Sequence, residues 1–350
     1  MTVEYSGFYN GDTAADLDNT GFTLGTDYTQ GDDVGTYNTT IAIGTATDNN
    51  YDFTPLLTST FEVDPATITI LYIGDQTVIL GNSFIPKAQI TGPNAASITN
   101  IKICFLLDTN PTTGNVEEYP LGYGFTNSSG IVTIGFAPDG TPITSISTSG
   151  WQGGVYTIIA KECDPNVTGI ADEATLTVAD PGAAATGGGW YTLNGNGRIN
   201  FGFTVRLEPN TIDTYRGQIL LINKGAWRLK GTLDKYVSIL PSGSASGTGK
   251  LYRWDKTLNV GLGGWALASD NVPFTISFTD TYNGTSNNKK AVVYDTFGIH
   301  INYVIALGDA PLPNFSPITL KGGNIDIKSP NNTTDQNPTT PPPTGKCTNR

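Results

Sequence analysis

Two distant stretches of this chain share one layout. Val34-Gly35-Thr36-Tyr37 runs into Thr39, Ile41 and Ile43, and Gly153-Gly154-Val155-Tyr156 runs into Ile158 and Ala160. Each is a turn glycine, an aromatic, then inward positions at every second residue, the period of a half-buried β-strand. Each is followed by one more alternating strand ending in proline, Thr60–Pro65 in the first case and Thr175–Pro181 in the second. A strand–loop–strand unit recurring after about 119 positions predicts tandem β-sandwich modules. At 350 residues, two or three such modules can each bury a core. The 42 glycines, 21 prolines and a charged fraction of only 14% favour turns over helices, and no stretch carries an apolar stripe through three helical turns. The expected class is all-β.

Charge is distributed unevenly. The net −12 comes from residues 1–86, which hold twelve acids and no Lys or Arg; the remaining 19 acids are matched by 19 bases. A region this acidic repels phosphate, so nucleic acid is not an expected partner. A solvated acidic surface accounts for most of it. Carboxylates and Asn carbonyls at Asn10–Asn19 and Asp48–Asp52 are hard oxygen ligands suited to calcium, although neither loop has EF-hand spacing. Otherwise no cofactor or metal is expected. No apolar run approaches the length of a membrane span. Met1-Thr2-Val3-Glu4 lacks the basic start and apolar stretch of a signal peptide. Low lysine, one methionine, one histidine and a Thr/Asn/Gly-rich surface read as extracellular, cell-surface or secreted. The chain then reads as a processed form or a piece of something longer.

Residues 1–66 are expected to hold strands near 2–9, 21–29, 36–44 and 57–64. Their ordered motifs, Tyr5-Ser6-Gly7-Phe8-Tyr9-Asn10-Gly11, Val34-Gly35-Thr36-Tyr37, Asn50-Tyr51-Asp52-Phe53 and Phe61-Glu62-Val63-Asp64-Pro65-Ala66, resemble the MBG-type repeats of bacterial surface proteins. That resemblance implies a small Ig-like β module. It also implies a strand before Tyr5-Ser6-Gly7. Either the module has been cut there, or a neighbouring chain supplies the strand by β-augmentation. Residues 67–181 resemble bacterial Ig-like repeats, with Ile101–Asp108 as the central strand and Asn127–Ile134 as the turn and strand that follow. Pro181–Ala185 is a connecting segment by composition. Residues 186–328 open on Gly187-Gly188-Gly189-Trp190, continue through Asn200-Phe201-Gly202-Phe203 and close on Gly322-Gly323-Asn324-Ile325. They resemble a β-rich module at the carboxyl end of large secreted bacterial proteins. The expected architecture is tandem Ig-like sandwiches followed by a larger β-sandwich or jelly-roll-like module. Residues 329–350, rich in Asn, Thr and Pro, are expected to be a disordered or extended linker or tail.

Nothing in the chain assembles a catalytic set. The single histidine, His300, alternates with Ile299 and Ile301 and belongs on a strand surface. Gly243–Gly247 places serine at the wrong offset for a nucleophile elbow, and Gly247-Thr248-Gly249-Lys250 lacks the glycine spacing of a phosphate loop. Glu117 and Glu118 are adjacent on a strand and point to opposite faces. One histidine and three scattered cysteines argue against a zinc site. Parity puts Ile103, Phe105 and Leu107 on one face, with Tyr156, Ile158 and Ala160 likewise, leaving Cys104 and Cys163 on the other. In an Ig-like sandwich those strands would be neighbours, so the two cysteines either cross-link or remain free thiols. Cys347 has no intrachain partner on this reading. Trp190, Trp227, Trp254 and Trp265 fall in the third module; they fill its core or offer rings for glycan stacking.

The function expected from these residues is structural or adhesive, as a surface, filament or surface-layer subunit assembling by strand pairing. Its partners would be copies of itself or neighbouring surface proteins. The alternative is a carbohydrate-binding protein using the Trp-rich third module.

Overall fold

The computed structural model describes residues 1–54, 56–92, 99–108, 118–193, 196–258, 264–281, 295–302 and 315–328. The chain forms two compact units, Met1–Thr67 with Asp164–Thr168, and Ile68–Cys163 with Gly169–Arg350. Glu117, Cys347 and the tail from 329 onward lie outside the described residues.

Unit 1 is a three-stranded antiparallel sheet, ordered β1 (Thr23–Thr26), β2 (Gly35–Ala42) and β3 (Thr60–Val63). The strand expected over 2–9 does not form. Gly7 and Gly11 adopt φ of +92° and +91°, and Asn10 sits at +55°, which breaks the extended run into turns. Aromatic contacts hold that segment instead: Tyr5 meets Phe22 at 5.9 Å and Phe8 meets Tyr51 edge-on at 5.4 Å between ring centroids. A second group joins Tyr28, Tyr37 and Phe61 at 5.0 to 6.0 Å. These rings are only half-buried; the apolar residues of this unit that are truly buried are Ala46 and Val167.

The chain continues with β4 (Ala66–Tyr72), β5 (Thr77–Ile79), β6 (Ser83–Phe84), β7 (Lys87–Thr91), β8 (Lys102–Asp108), β9 (Glu118–Phe125), β10 (Ile131–Thr133), β11 (Ile146–Ser147), β12 (Gly154–Glu162), β13 (Val167–Ile170) and β14 (Asp172–Ala179), which belong to unit 2 apart from the first two residues of β4 and of β13. They form a four-stranded sheet in the order β10-β7-β4-β13, a small β11-β6 pair, and a five-stranded sheet in the order β5-β14-β12-β8-β9. Alternate residues Ile68, Ile70 and Tyr72, with Ala88 and Ile90, meet the requirement of one buried face; so do Ile103, Phe105, Ile158 and Leu176 in the larger sheet.

Among the described residues, the rest of unit 2 forms a single nine-stranded sheet. Its strands are β15 (Ala183–Leu193), β16 (Asn196–Leu207), β17 (Tyr215–Asn223), β18 (Trp227–Ile239), β19 (Ser242–Asp255), β20 (Gly264–Thr279), β21 (Thr296–Ile301), β22 (Phe315–Thr319) and β23 (Gly322–Ile327). They run as an antiparallel meander from β15 to β22, with β23 returning beside β15. The segment read as a connection from its composition enters β15 at Ala183, and Ala183 and Ala185 are buried. The sheet curls on itself: Phe201 of β16 stacks on Phe297 of β21 at 4.1 Å although four strands lie between them. Asp295 fastens the two margins, accepting from Ile325 N at 2.7 Å through its carboxylate while its carbonyl takes Leu320 N. Tyr191, Phe203, Trp227, Leu229, Phe274 and Ile299 fill the interior.

Candidate functional site

The most elaborated chemistry in the molecule lies where the five-stranded sheet meets the outer face of the nine-stranded one. Strand β14 carries threonine at 175 and 177, positions that alternation assigns to the face opposite Leu176. Both threonines are fully buried, because a second sheet covers that face as well. Their hydroxyls donate to backbone carbonyls of the facing sheet, Thr175 Oγ1 to Phe201 O at 2.7 Å and Thr177 Oγ1 to Gly187 O at 2.9 Å. Such close approach requires glycine. Gly188 and Gly202 are cross-strand partners, and a Cβ on Gly202 would stand 2.7 Å from Thr177 Oγ1 and 2.9 Å from Val155 Cγ1. A Cβ on Gly188 would stand 2.6 Å from Gln76 O. Gly188 of the Gly-Gly-Gly-Trp motif and Gly202 of the Asn-Phe-Gly-Phe motif are thus seats for a neighbouring sheet.

Beside this contact an apolar patch forms from Val155, Leu220, Ile222, Tyr252 and Trp265. Arg228, only 2% exposed, enters it from β18. Its Nη1 lies 3.6 Å from Asp108 Oδ2 on β8 and 3.7 Å from Glu173 Oε2 on β14. The guanidinium also stands over the rings of Tyr252 and Trp265, at 5.1 and 5.2 Å from their centroids. Trp265 Nε1 donates to Glu173 Oε1 at 2.9 Å. Burial pushes the Glu173 carboxyl above its ordinary range, against the opposing pull of Arg228 and the indole N–H. Lys230, one β-repeat further along β18, is lowered to about 8, chiefly by burial and against the attraction of Asp108. A buried charge cluster like this is strongly destabilised when one partner is lost. Peripheral polar contacts complete the junction. Gln76 Nε2 donates to Asn200 Oδ1 at 2.9 Å, Val155 N to Gln218 Oε1 at 3.2 Å, and Lys224 pairs with Asp172 at 3.1 Å.

The four tryptophans separate into distinct roles. Trp227 lies in the interior of the curled sheet and Trp265 in the inter-sheet patch, at 2% and 6% exposure, so neither offers a face to a sugar. Trp254 packs edge-on against Trp265 at 5.1 Å. Trp190 is half-buried with the Arg198 guanidinium 4.7 Å over its ring, and it lines a groove of about 670 Å³ with Ile73, Asp75, Arg198 and Asn324. Sequence parity could not tell these settings apart, because which face of β18 to β20 is covered depends on another sheet.

Cys104 on β8 and Cys163, just beyond β12, are bonded with Cα atoms 5.8 Å apart, on strands paired antiparallel with Lys161 opposite Cys104. His300 is exposed on β21 between buried Ile299 and Ile301. In the acidic loops, backbone amides satisfy the carboxylates. Asp48 accepts from Asp18 N, Asn50 N and Tyr51 N, which holds its carboxyl below the ordinary range, and Asp18 accepts from Asn49 N and Nδ2. Among the described residues no group of three or more His, Cys, Asp or Glu is placed to hold a metal ion. Among them, too, no helix is long and apolar enough to cross a membrane.

Residues 1–62 match the MBG domain (YGX type). This match and the all-β architecture fit a surface-associated bacterial repeat protein of structural kind. No curated protein matches the chain. Among solved structures, a marsupial T cell receptor is similar at 8% identity and a TM-score of 0.22, over 68% of this chain and 100% of that one.

Proposed function

We propose that this chain is an extracellular structural subunit of a bacterial surface, in which unit 2 is a stiff body and unit 1 makes strand-pairing contacts with other chains. The observation that carries the reading is the state of unit 1. Among the described residues its sheet has three strands, its outer strands β1 and β3 each pair on one side only, and its aromatic face is left half-covered. Unpaired strand edges next to partly exposed apolar side chains are templates for strand addition. Negative-stain microscopy of the purified full chain tests this. Filaments or sheets that dissolve on Tyr28→Lys with Phe61→Lys are the expected result. Isolated particles at every concentration would refute it.

One observation favours a second reading, glycan binding. Trp190 lines a groove with polar Asp75, Arg198 and Asn324, the pairing of an aromatic ring with planar hydrogen-bonding groups that suits a sugar. Glycan-array binding abolished by Trp190→Ala, with tryptophan fluorescence of the fold retained, would support it; an array silent for the native chain would remove it.

A further inference from the structure

Strand β18 is paired with β19 from Trp227 to Ile239, but with β17 only as far as Leu233, opposite Gly217. Among the described residues, Asp234–Ile239 therefore presents a strand edge with no neighbour, beginning at the bulge between Leu233 and Lys235. The inward side chain of this stretch is well anchored, since Tyr236 packs on Tyr215 at 5.1 Å and on Phe278 at 6.4 Å. The outward ones are apolar and wet: Val237 is 67% exposed and Ile239 81%. Edges of this kind are usually guarded by lysines, prolines or covering loops. Here the guard is Lys235 at the entrance and Pro241 beyond the end.

We propose that the Asp234–Ile239 edge accepts the free β1 edge, Thr23–Thr26, of unit 1 from a second copy of this chain. This deepens the assembly reading above and rests on it. Charge selects the occupant. Unit 1 carries eleven acids in residues 1–67 plus Asp164 and no Lys or Arg, which leaves unit 2 with 31 − 12 = 19 acids against 19 bases. A contact between two copies of unit 1 brings like-charged bodies together, whereas a contact with unit 2 meets a neutral one, whose docking edge carries Asp234 and Lys235 in balance. The pairing joins different surfaces of the two copies, so repetition builds an open chain or a ring rather than a closed twofold dimer.

Two experiments on the full chain decide it. In a Cys347→Ser background, chains bearing Thr26→Cys and chains bearing Val237→Cys are mixed and oxidised, with the native Cys104–Cys163 bond intact. The expected product is the mixed cross-link, identified by mass spectrometry of the joined peptides. In parallel, Val237→Glu with Ile239→Glu, at exposed positions that leave tryptophan fluorescence unchanged, sets carboxylates against the acidic unit 1 and should weaken self-association in sedimentation velocity by about tenfold or more. Only like-with-like cross-links, or unaltered association of the double glutamate variant, overturn this docking edge and leave assembly itself standing. A native chain that stays monomeric throughout overturns both.

Discussion

Unit 1 and the β14–β16 region of unit 2 are written in the same residues and end differently. Both are short alternating strands of Thr, Val, Ile and aromatics. In unit 1 the inward positions Tyr28, Tyr37, Ile41 and Phe61 stay half-exposed, and the described strands of that unit form one three-stranded sheet. In β14, every residue from Ala174 to Val178 is buried, since the four-stranded sheet and the nine-stranded sheet leave neither face to solvent. Alternation makes a strand; layers decide what it is worth. Burial of a large apolar side chain contributes about 1.5–3 kcal/mol, and unit 1 collects little of that.

The contrast can be broken or sharpened by mutation, and the chain supplies its own probe: all five tryptophans, at 151, 190, 227, 254 and 265, belong to unit 2, so their fluorescence reports that unit alone. The largest effect is expected at Arg228→Ala, which takes the cation from two buried carboxylates and should lower the tryptophan-reported stability by about 3–5 kcal/mol. Replacing Arg228 together with Asp108 and Glu173 by apolar residues of similar volume should restore much of it, as chemical denaturation would show. Cys104→Ser with Cys163→Ser opens a loop whose ends are 59 residues apart and should lower stability by about 2–4 kcal/mol. Gly202→Ala forces a methyl against Thr177 and Val155 and should lower it by about 1–3 kcal/mol in the same assay.

A pH effect follows from Lys230. Its folded-state value of about 8 lies below the ordinary 10.5, so between those limits the unfolded chain binds the extra proton and stability rises with pH. After allowance for solvent screening the gain should be about 1 kcal/mol, and Lys230→Met should abolish it in a pH series of denaturation curves. The smallest effect tests the other side of the comparison. Tyr28→Ala in unit 1 should move the tryptophan-reported midpoint by less than about 0.5 kcal/mol.

The sequence makes the strands and the shared face of the two cysteines legible because both depend on local parity, while leaving open whether the cysteines bond. Ile103, Phe105, Ile158 and Ala160 are buried on the expected face, and Cys104 and Cys163 lie together on the other. The strand expected at residues 2–9 fails because an aromatic alternation there is interrupted by Gly7 in a left-handed conformation, a break that hydrophobic periodicity does not register. Thr175 and Thr177 mislead in the opposite direction. They look like solvent-facing residues, yet their hydroxyls answer carbonyls of a sheet encoded some 10 to 26 positions later. The glycines at 188 and 202 carried a resemblance, but not the reason for it, which exists only once β14 is laid across them. The roles of Trp190 and Trp265 were hidden for the same cause.

The claim on which the rest depends is that the five-stranded and nine-stranded sheets form one cooperative body. Native-state hydrogen exchange across a denaturant series, resolved by mass spectrometry, tests it most directly. The account predicts that amides in Gly154–Glu162, Asp172–Ala179 and Tyr215–Asn223 open with a single common free energy and denaturant slope, well above that of Gly35–Ala42. If the Ile68–Ala179 strands opened at lower free energy than the nine-stranded sheet, leaving the latter protected, the two would be separate modules in series and the account would be contradicted.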